Sequence, residues 1–381
     1  MSAHAASDSA RLVADRVKTA RADRAPLRIV GAGHWLDAGR PCSAGQQLIL
    51  EGHGGVTEYE PGDLTLTARA GTSLAHLAQV TRAEGQWLPL DPVGPAEGTL
   101  GATIATASAG PLASAFGTPR DHVLGCELVT GTGDVVRAGG RVVKNVAGFD
   151  LVRLATGAWG TLGVITEVSV RLRALPEVDR TLAVDASAHD AWRWLRASEY
   201  TPLAAELLSA GLAAALGTGP GATLLVRLGG NEALVRAASE SAAALGPARD
   251  VAGTVWSALA ASEPAGAAVI RLSTAPSRGA MLWDRAAAIV ERASGMAHAT
   301  LERGVVRCIL PVHGAGEEEL ARLRGIIGSL QHLATSVVER LPASLWPALV
   351  PAAAADPLSV GMRNAFDPDR LLNPGILGEL S

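Results

Sequence analysis

The chain has 381 residues, 48% hydrophobic and 18% charged, with a formal net charge of −4. That size and apolar content allow two domains with cores of their own and exclude disorder for the bulk of the chain. The acidic balance without a basic cluster excludes a nucleic-acid or anionic-bilayer footprint, and three scattered cysteines, Cys42, Cys126 and Cys308, exclude a disulfide framework and a zinc or iron–sulfur spacing.

The first residues, MSAHAASDSARLVADR, have no apolar segment between a basic start and a cleavage site, so no signal peptide is predicted. Residues 1–22 are expected as a flexible lead-in entering a helix, and the cytoplasm as the compartment. PLRIV (26–30) reads as a short buried strand ending on Gly31-Ala32-Gly33, and LTLTARA (64–70) alternates like a second strand. Thr72 or Ser73 then caps a helix that has Leu74, Leu77 and Ala78 on one face and ends at Gly85.

From Gly98 to Pro119 the chain carries no charge until Arg120, and it begins GTLGATIATASAG. The length would suit a membrane span, but Leu100, Ile104, Leu112 and Phe116 are its only large apolar residues, and glycines and prolines interrupt any helix. Small residues instead let main chain approach a phosphate or a flat ring closely. Beyond it, HVLGCELVT and DVVRAG flank GTGD (131–134) as a hairpin, and Asp150 caps a short helix through Leu151, Leu154 and Ala155. The clearest strand runs from Val164 to Leu172, with Val164, Thr166, Val168, Val170 and Leu172 on one face.

Near LRALPEVDR (172–180) the texture changes, and a domain boundary is expected there, separating residues 23–176 from 177–364. Four strand-like runs, at 181–185, 222–228, 267–273 and 304–312, alternate with Ala-rich helical segments at 232–246, 279–293 and 317–336. This predicts an α+β arrangement of split βαβ type with helices on one side of a sheet. The turn-rich tail, 365–381, is expected to fold back on the first domain.

Several motifs are weighed against plainer roles. Gly31-Ala32-Gly33 after a strand is half of a dinucleotide fingerprint, but Leu36 stands where the third glycine belongs; a Rossmann site is rejected and a phosphate loop kept. GTLG occurs at 98–101 and 160–163, by itself a coincidence. His34 could touch a ligand, although loop histidines are more often solvated. Arg120-Asp121 could fork onto a carboxylate substrate, although such pairs usually serve local packing. Serine-hydrolase, zincin and P-loop motifs are absent, and dispersed histidines such as His313 and His332 offer no metal site.

Within residues 87 to 176, the order LPLDPVGPAEGTLGATIATASAG, FGTPRDHVLGCELVTGTGDVV and GRVVKNVAGFDLVRLATGAWGTLGVITEVSVRL resembles the flavin domain of the vanillyl-alcohol-oxidase (PCMH-type) superfamily. VVKNVAGFDL followed by GTLGVITE is similar to the smaller FAD-binding subunits of bacterial glycolate oxidase. The resemblance implies an α+β fold, a PCMH-type two-subdomain FAD-binding domain followed by a ferredoxin-like α+β cap. It implies FAD as cofactor, with Gly31, Ala32, Gly33 and His34 as first phosphate loop and Asp91-Pro92 leading into the segment beside the flavin. Gly101, Ala102, Thr103, Thr106 and Gly110 correspond to the second loop, Gly163, Val164 and Ile165 to the strand at the adenine end, and Asn373 to the C-terminal turn returning to the cofactor. Ile376 departs from the family, which often has lysine there.

The implied role is oxidation of glycolate, a small 2-hydroxy acid, to glyoxylate. The partners implied are a larger catalytic flavin subunit and an iron–sulfur subunit, through which any membrane association would come. No catalytic residue is assigned, because RCILPVHGAGEEE offers only His313 with acids near it, and the main chemistry is expected on the partner. A self-sufficient D-2-hydroxy-acid dehydrogenase and a scaffold that has lost FAD, with Ala102 and Ala109 narrowing the groove, stand as alternatives.

Overall fold

The computed structural model describes residues 6–140, 150–352 and 356–378; the VVKNVAGF portion of the motif above, 142–149, lies outside them. The N-terminal segment differs from expectation. Asp8–Ala22 is a 15-residue helix, capped by Ser7 accepting the Ala10 N–H. Its stripe of Ala10, Val13, Ala14, Val17 and Ala20 is buried against Leu27, Leu48, Val129 and Val164. Three- and four-residue spacing of small apolar side chains produces that stripe, and burial rather than propensity fixes the helix.

Strands Leu27–Val30 and Gln46–Ile49 pair in parallel. A five-stranded antiparallel sheet follows, in the order Val56–Glu60, Thr65–Arg69, Val164–Arg171, Val123–Val129, Val135–Gly139. From Thr166 onward the central strand alternates as predicted, with Thr166, Val168 and Val170 buried while Glu167, Ser169 and Arg171 are not; Ile165, on the other face, is buried as well. Ser73 and Asp150 cap their helices through the His76 and Arg153 N–H groups, and helix Leu100–Thr106 packs Leu100 and Ile104 on Val168 and Val170. The tail returns as expected: Leu27 donates to the Leu371 carbonyl and accepts from the Asn373 N–H.

The second domain is one eight-stranded antiparallel sheet. It consists of two ferredoxin-like units, each strand–helix–strand–strand–helix–strand. The first spans Val178–Asp185, Ala188–Ala197, Ala204–Leu208, Thr223–Gly230, Glu232–Ala243 and Ala248–Val251. The second spans Ala268–Ser273, Gly279–Arg292, Met296–Thr300, Val305–Leu310, Glu317–Gln331 and Thr335–Arg340. They join edge to edge where Leu207 and Leu208 pair with Ala299 and His298. One unit was expected from the sequence; the structure has two.

Helices cover one face of this sheet, burying Leu224, Val226, Ile270 and Leu272 against Trp283, Ala286 and Val290. Period-two alternation then sends Glu206, Arg227, Arg271, His298, Thr300 and Arg307 to the opposite face. Part of that face is turned toward the first domain: the Arg227 guanidinium lies 5.2 Å from the Trp87 ring centroid, and the Gly94 N–H donates to the Ala260 carbonyl.

Candidate functional site

A groove of about 140 Å³ opens between the turn after Val30 and the start of helix Leu100–Thr106. Its walls meet at main-chain distance. A Cβ on Gly31 would stand 2.4 Å from Thr99 Oγ1, and one on Gly101 would stand 2.6 Å from Ala70 Cβ. Gly33 sits at φ +78°, a conformation side-chain-bearing residues rarely adopt. Among the described residues, no hydrogen bond uses the main-chain N–H of Ala32, Gly33 or His34. Unspent amides in such a turn form an anion nest, the property a dinucleotide diphosphate requires. The residues present therefore fit the group the resemblance implies.

Of the residues expected around the cofactor, Gly31, Ala32, Gly33, His34, Pro92, Gly101, Ala102, Thr103, Thr106, Gly163, Ile165 and Asn373 line this groove. Both GTLG copies do so as well, through Gly98, Thr99 and Gly101 and through Gly160 and Gly163. Asn373 is buried; its Oδ1 accepts the Ile29 N–H at 2.7 Å and its Nδ2 donates to the Trp159 carbonyl at 2.7 Å. It thus pins the tail to both groove walls. Val164 lines neither the groove nor the cavity beside it and is fully buried in the core under the first helix. Ile376 lines the groove.

Asp91 and Gly110 face an adjoining cavity of about 370 Å³ between the first domain and the polar face of the cap sheet. Asp91 accepts the Gly110 N–H at 3.1 Å and the Leu112 N–H at 2.9 Å, and its carboxyl is pushed up to about 7, chiefly by burial. A Cβ on Gly110 would stand 2.3 Å from the Asp91 carbonyl oxygen, so this contact needs glycine. Trp35 and Trp159 line both spaces, stacked with centroids 5.8 Å apart and planes at 13°.

The cap supplies charges that the sequence did not single out. Arg307 pairs with Glu263 at 2.5 Å and Glu339 at 2.5 Å, and Arg271 pairs with Glu339 at 2.5 Å. Burial alone would lower the Arg307 guanidinium, but Glu339 and Glu263 outweigh it and hold it above its ordinary value. His298 Nδ1 lies 2.5 Å from Glu206 Oε1, and Thr300 Oγ1 donates to Glu206 Oε2 at 2.7 Å. The cap histidine at the cavity is therefore His298; His313 is exposed and donates its N–H to Glu319. Arg120-Asp121 serves local packing, since Asp121 accepts from the N–H and hydroxyl of Thr118, and Arg120 lines neither space.

Residues 2–139 match the family model described as FAD binding domain. The chain is 36% identical over 253 residues to glycolate oxidase subunit GlcE of Escherichia coli K12, covering 66% of this chain and 68% of that protein. It is 34% identical over 171 residues to glycolate oxidase subunit GlcD of Bacillus subtilis, covering 43% of this chain and 36% of that one. Among solved structures, alkyldihydroxyacetonephosphate synthase superposes with a TM-score of 0.68 at 17% identity, over 95% of this chain and 74% of that one, a likeness of fold. Matched domain and groove agree on FAD as the cofactor.

Proposed function

The chain belongs to the FAD-binding oxidoreductase family that includes glycolate oxidase subunit GlcE, and from that premise we propose that it is the FAD-carrying subunit of a complex oxidising glycolate to glyoxylate. A larger flavin subunit and an iron–sulfur subunit complete that complex, since this chain has too few and too scattered cysteines to ligate a cluster. The observation carrying the reading is the groove, where unspent amides at residues 32–34 meet the small-residue wall at 98–106.

The bound flavin supplies a hydride acceptor for the carbon bearing the hydroxyl. The chain's residues supply the diphosphate nest, the main-chain wall and the cavity beside it. We assign residues 23–176 to cofactor binding, 177–364 to the cap, and 365–381 to the returning segment that Asn373 anchors. Among the described residues no helix is long and apolar enough to cross a membrane, so membrane attachment in this proposal comes through partners, with the chain itself in the cytoplasm.

A second reading, oxidation of the acid by this chain alone, is favoured by the cavity of about 370 Å³, which has room for a small acid. Reconstitution separates them. With glycolate and an artificial electron acceptor, the complex is expected to turn over and each subunit alone to be inactive. Full turnover by this chain alone would replace the first reading with the second, and full activity of the partners without this chain would remove the first.

A further inference from the structure

We infer that Trp35 and Trp159 are cofactor-ring residues of unequal kind: Trp159 is a fixed platform for a planar ring of the bound dinucleotide, and Trp35 keeps the place of that ring on the platform until it swings aside. The inference rests on the flavoprotein reading for the identity of the ring, and on the size and fastening of the groove for the two roles.

The groove holds about 140 Å³. Sites that enclose a drug-sized ligand span ~300–1,000 Å³, and a dinucleotide is larger than most such ligands. With its diphosphate on the amides of residues 32–34, part of the cofactor has to extend into the adjoining cavity of about 370 Å³. Five residues line both spaces and so stand where the two meet: Trp35, Val93, Thr106, Ser108 and Trp159.

Four of the five are fastened. The Val93 N–H donates to Ser108 Oγ at 3.1 Å, and the Thr106 hydroxyl donates to the Ala102 carbonyl at 2.8 Å. Trp159 is held through its main chain, donating to the Ala105 carbonyl at 2.8 Å and accepting from Asn373 Nδ2 at 2.7 Å. Its φ of +53° is a left-handed conformation that a bulky residue keeps only where its surroundings impose it. The turn at Gly39 abuts the ring, since a Cβ there would stand 2.9 Å from it. Backbone strain and packing thus fix one indole at the junction.

Trp35 is the exception. Its carbonyl accepts the Ala38 N–H, which ties the main chain, but its indole Nε1 is buried and, among the described residues, has no acceptor. The side chain is stacked on Trp159, with centroids 5.8 Å apart. A buried N–H without a partner is costly, and rotation toward the exposed His34 and Leu36 hands it to water. Stacking does not depend on which flat ring supplies the second face, so a cofactor ring recovers on Trp159 what Trp35 gives up. Ring replaces ring, and the passage opens in the same movement.

The test is FAD uptake by the purified full chain, followed as a rate by flavin fluorescence and as an amount by absorbance after free FAD is removed. Trp35→Ala is expected to take up FAD about tenfold faster or more, because an open conformer populated at about 10% or less becomes the main one. Trp159→Ala is expected to hold FAD about tenfold more weakly. The opposite signs separate the two roles, since truncating an ordinary wall residue weakens binding without speeding it. Magnetic resonance gives a second readout: the chain has eight tryptophans, and the Trp35 indole N–H signal is recognised by its absence from Trp35→Phe. That N–H is expected to exchange slowly with water before FAD is added and rapidly at saturation.

Unchanged, slower or weaker uptake by Trp35→Ala, or a Trp35 N–H that stays protected at saturation, overturns the inference and leaves the flavoprotein reading standing. If Trp35→Ala does not fold, the exchange measurement on the wild-type chain decides. A wild-type chain that takes up no FAD fails the flavoprotein reading, and the inference with it.

Discussion

Arg340, at the end of the last cap strand, ion-pairs with Asp37 in the loop that follows the Gly31-Ala32-Gly33 turn. Through its other nitrogen it reaches Glu263 at 3.1 Å, and Glu263 holds Arg307 at the cavity. The contact is reinforced by main chain, where the Gly39 N–H donates to the Glu339 carbonyl at 2.8 Å. A charge chain, buried at Arg340, Glu263 and Arg307 and half-buried at Asp37, thus ties the groove to the cap. Removing its middle member leaves Glu263 and Asp37 short of a partner. Arg340→Ala is expected to cost about 3–5 kcal/mol of stability and to loosen FAD retention together with it. Urea unfolding and flavin content of the variant check this; a folded variant with wild-type values for both would show the domains are held elsewhere.

Gly31 tests the groove itself. A methyl group there would stand 2.4 Å from Thr99 Oγ1, the oxygen that caps the Ala102 N–H, and 3.2 Å from Ala102 Cβ. One wall must move. Gly31→Ala is expected to destabilise by about 1–3 kcal/mol and to lower the flavin-to-protein ratio, read from melting temperature and absorbance. Unaltered flavin content would mean the close approach of the walls does not shape the site.

Asp91 predicts a pH dependence. Its carboxyl rises from an ordinary 3.8 to about 7, chiefly through burial. Between those values the folded chain keeps a proton that the unfolded chain has released. The contribution to stability is complete below about pH 4 and is lost as pH rises through 7. Asp91→Asn should flatten that slope in denaturant titrations at a series of pH values, at the cost of one acceptor for the Leu112 amide. A slope unchanged in Asp91→Asn would assign it to other groups.

The thiols give a simple reactivity test. Burial pushes Cys126 and Cys308 up to about 12, so both are protonated at neutral pH and shielded. Alkylation followed by mass spectrometry should label neither in the native chain and both in denaturant. Rapid native labelling of Cys308 would contradict the packing of the helix-covered cap face.

Local chemistry made part of this legible. The strand Val164–Arg171, the caps at Ser73 and Asp150, and the 131–134 turn follow from alternation and short polar side chains acting within a few residues. Strands Ala204–Leu208 and Met296–Thr300 escaped because Ala, Glu, Met and His carry little strand preference, and the surrounding alanines look helical. Their omission hid the second ferredoxin-like unit. It also hid Glu206 and His298, whose strands, far apart in sequence, meet only through edge pairing. The groove residues came from the resemblance; taken alone, the two GTLG copies gave no sign that folding would set them along one groove.

The most direct test of the central claim is the flavin stoichiometry of the purified chain after incubation with FAD and removal of the free cofactor. One FAD per chain, released on denaturation and diminished in Gly31→Ala, is the predicted result. A chain that stays colourless while fully folded would contradict the account, because the amides at residues 32–34 would then face something other than a dinucleotide diphosphate.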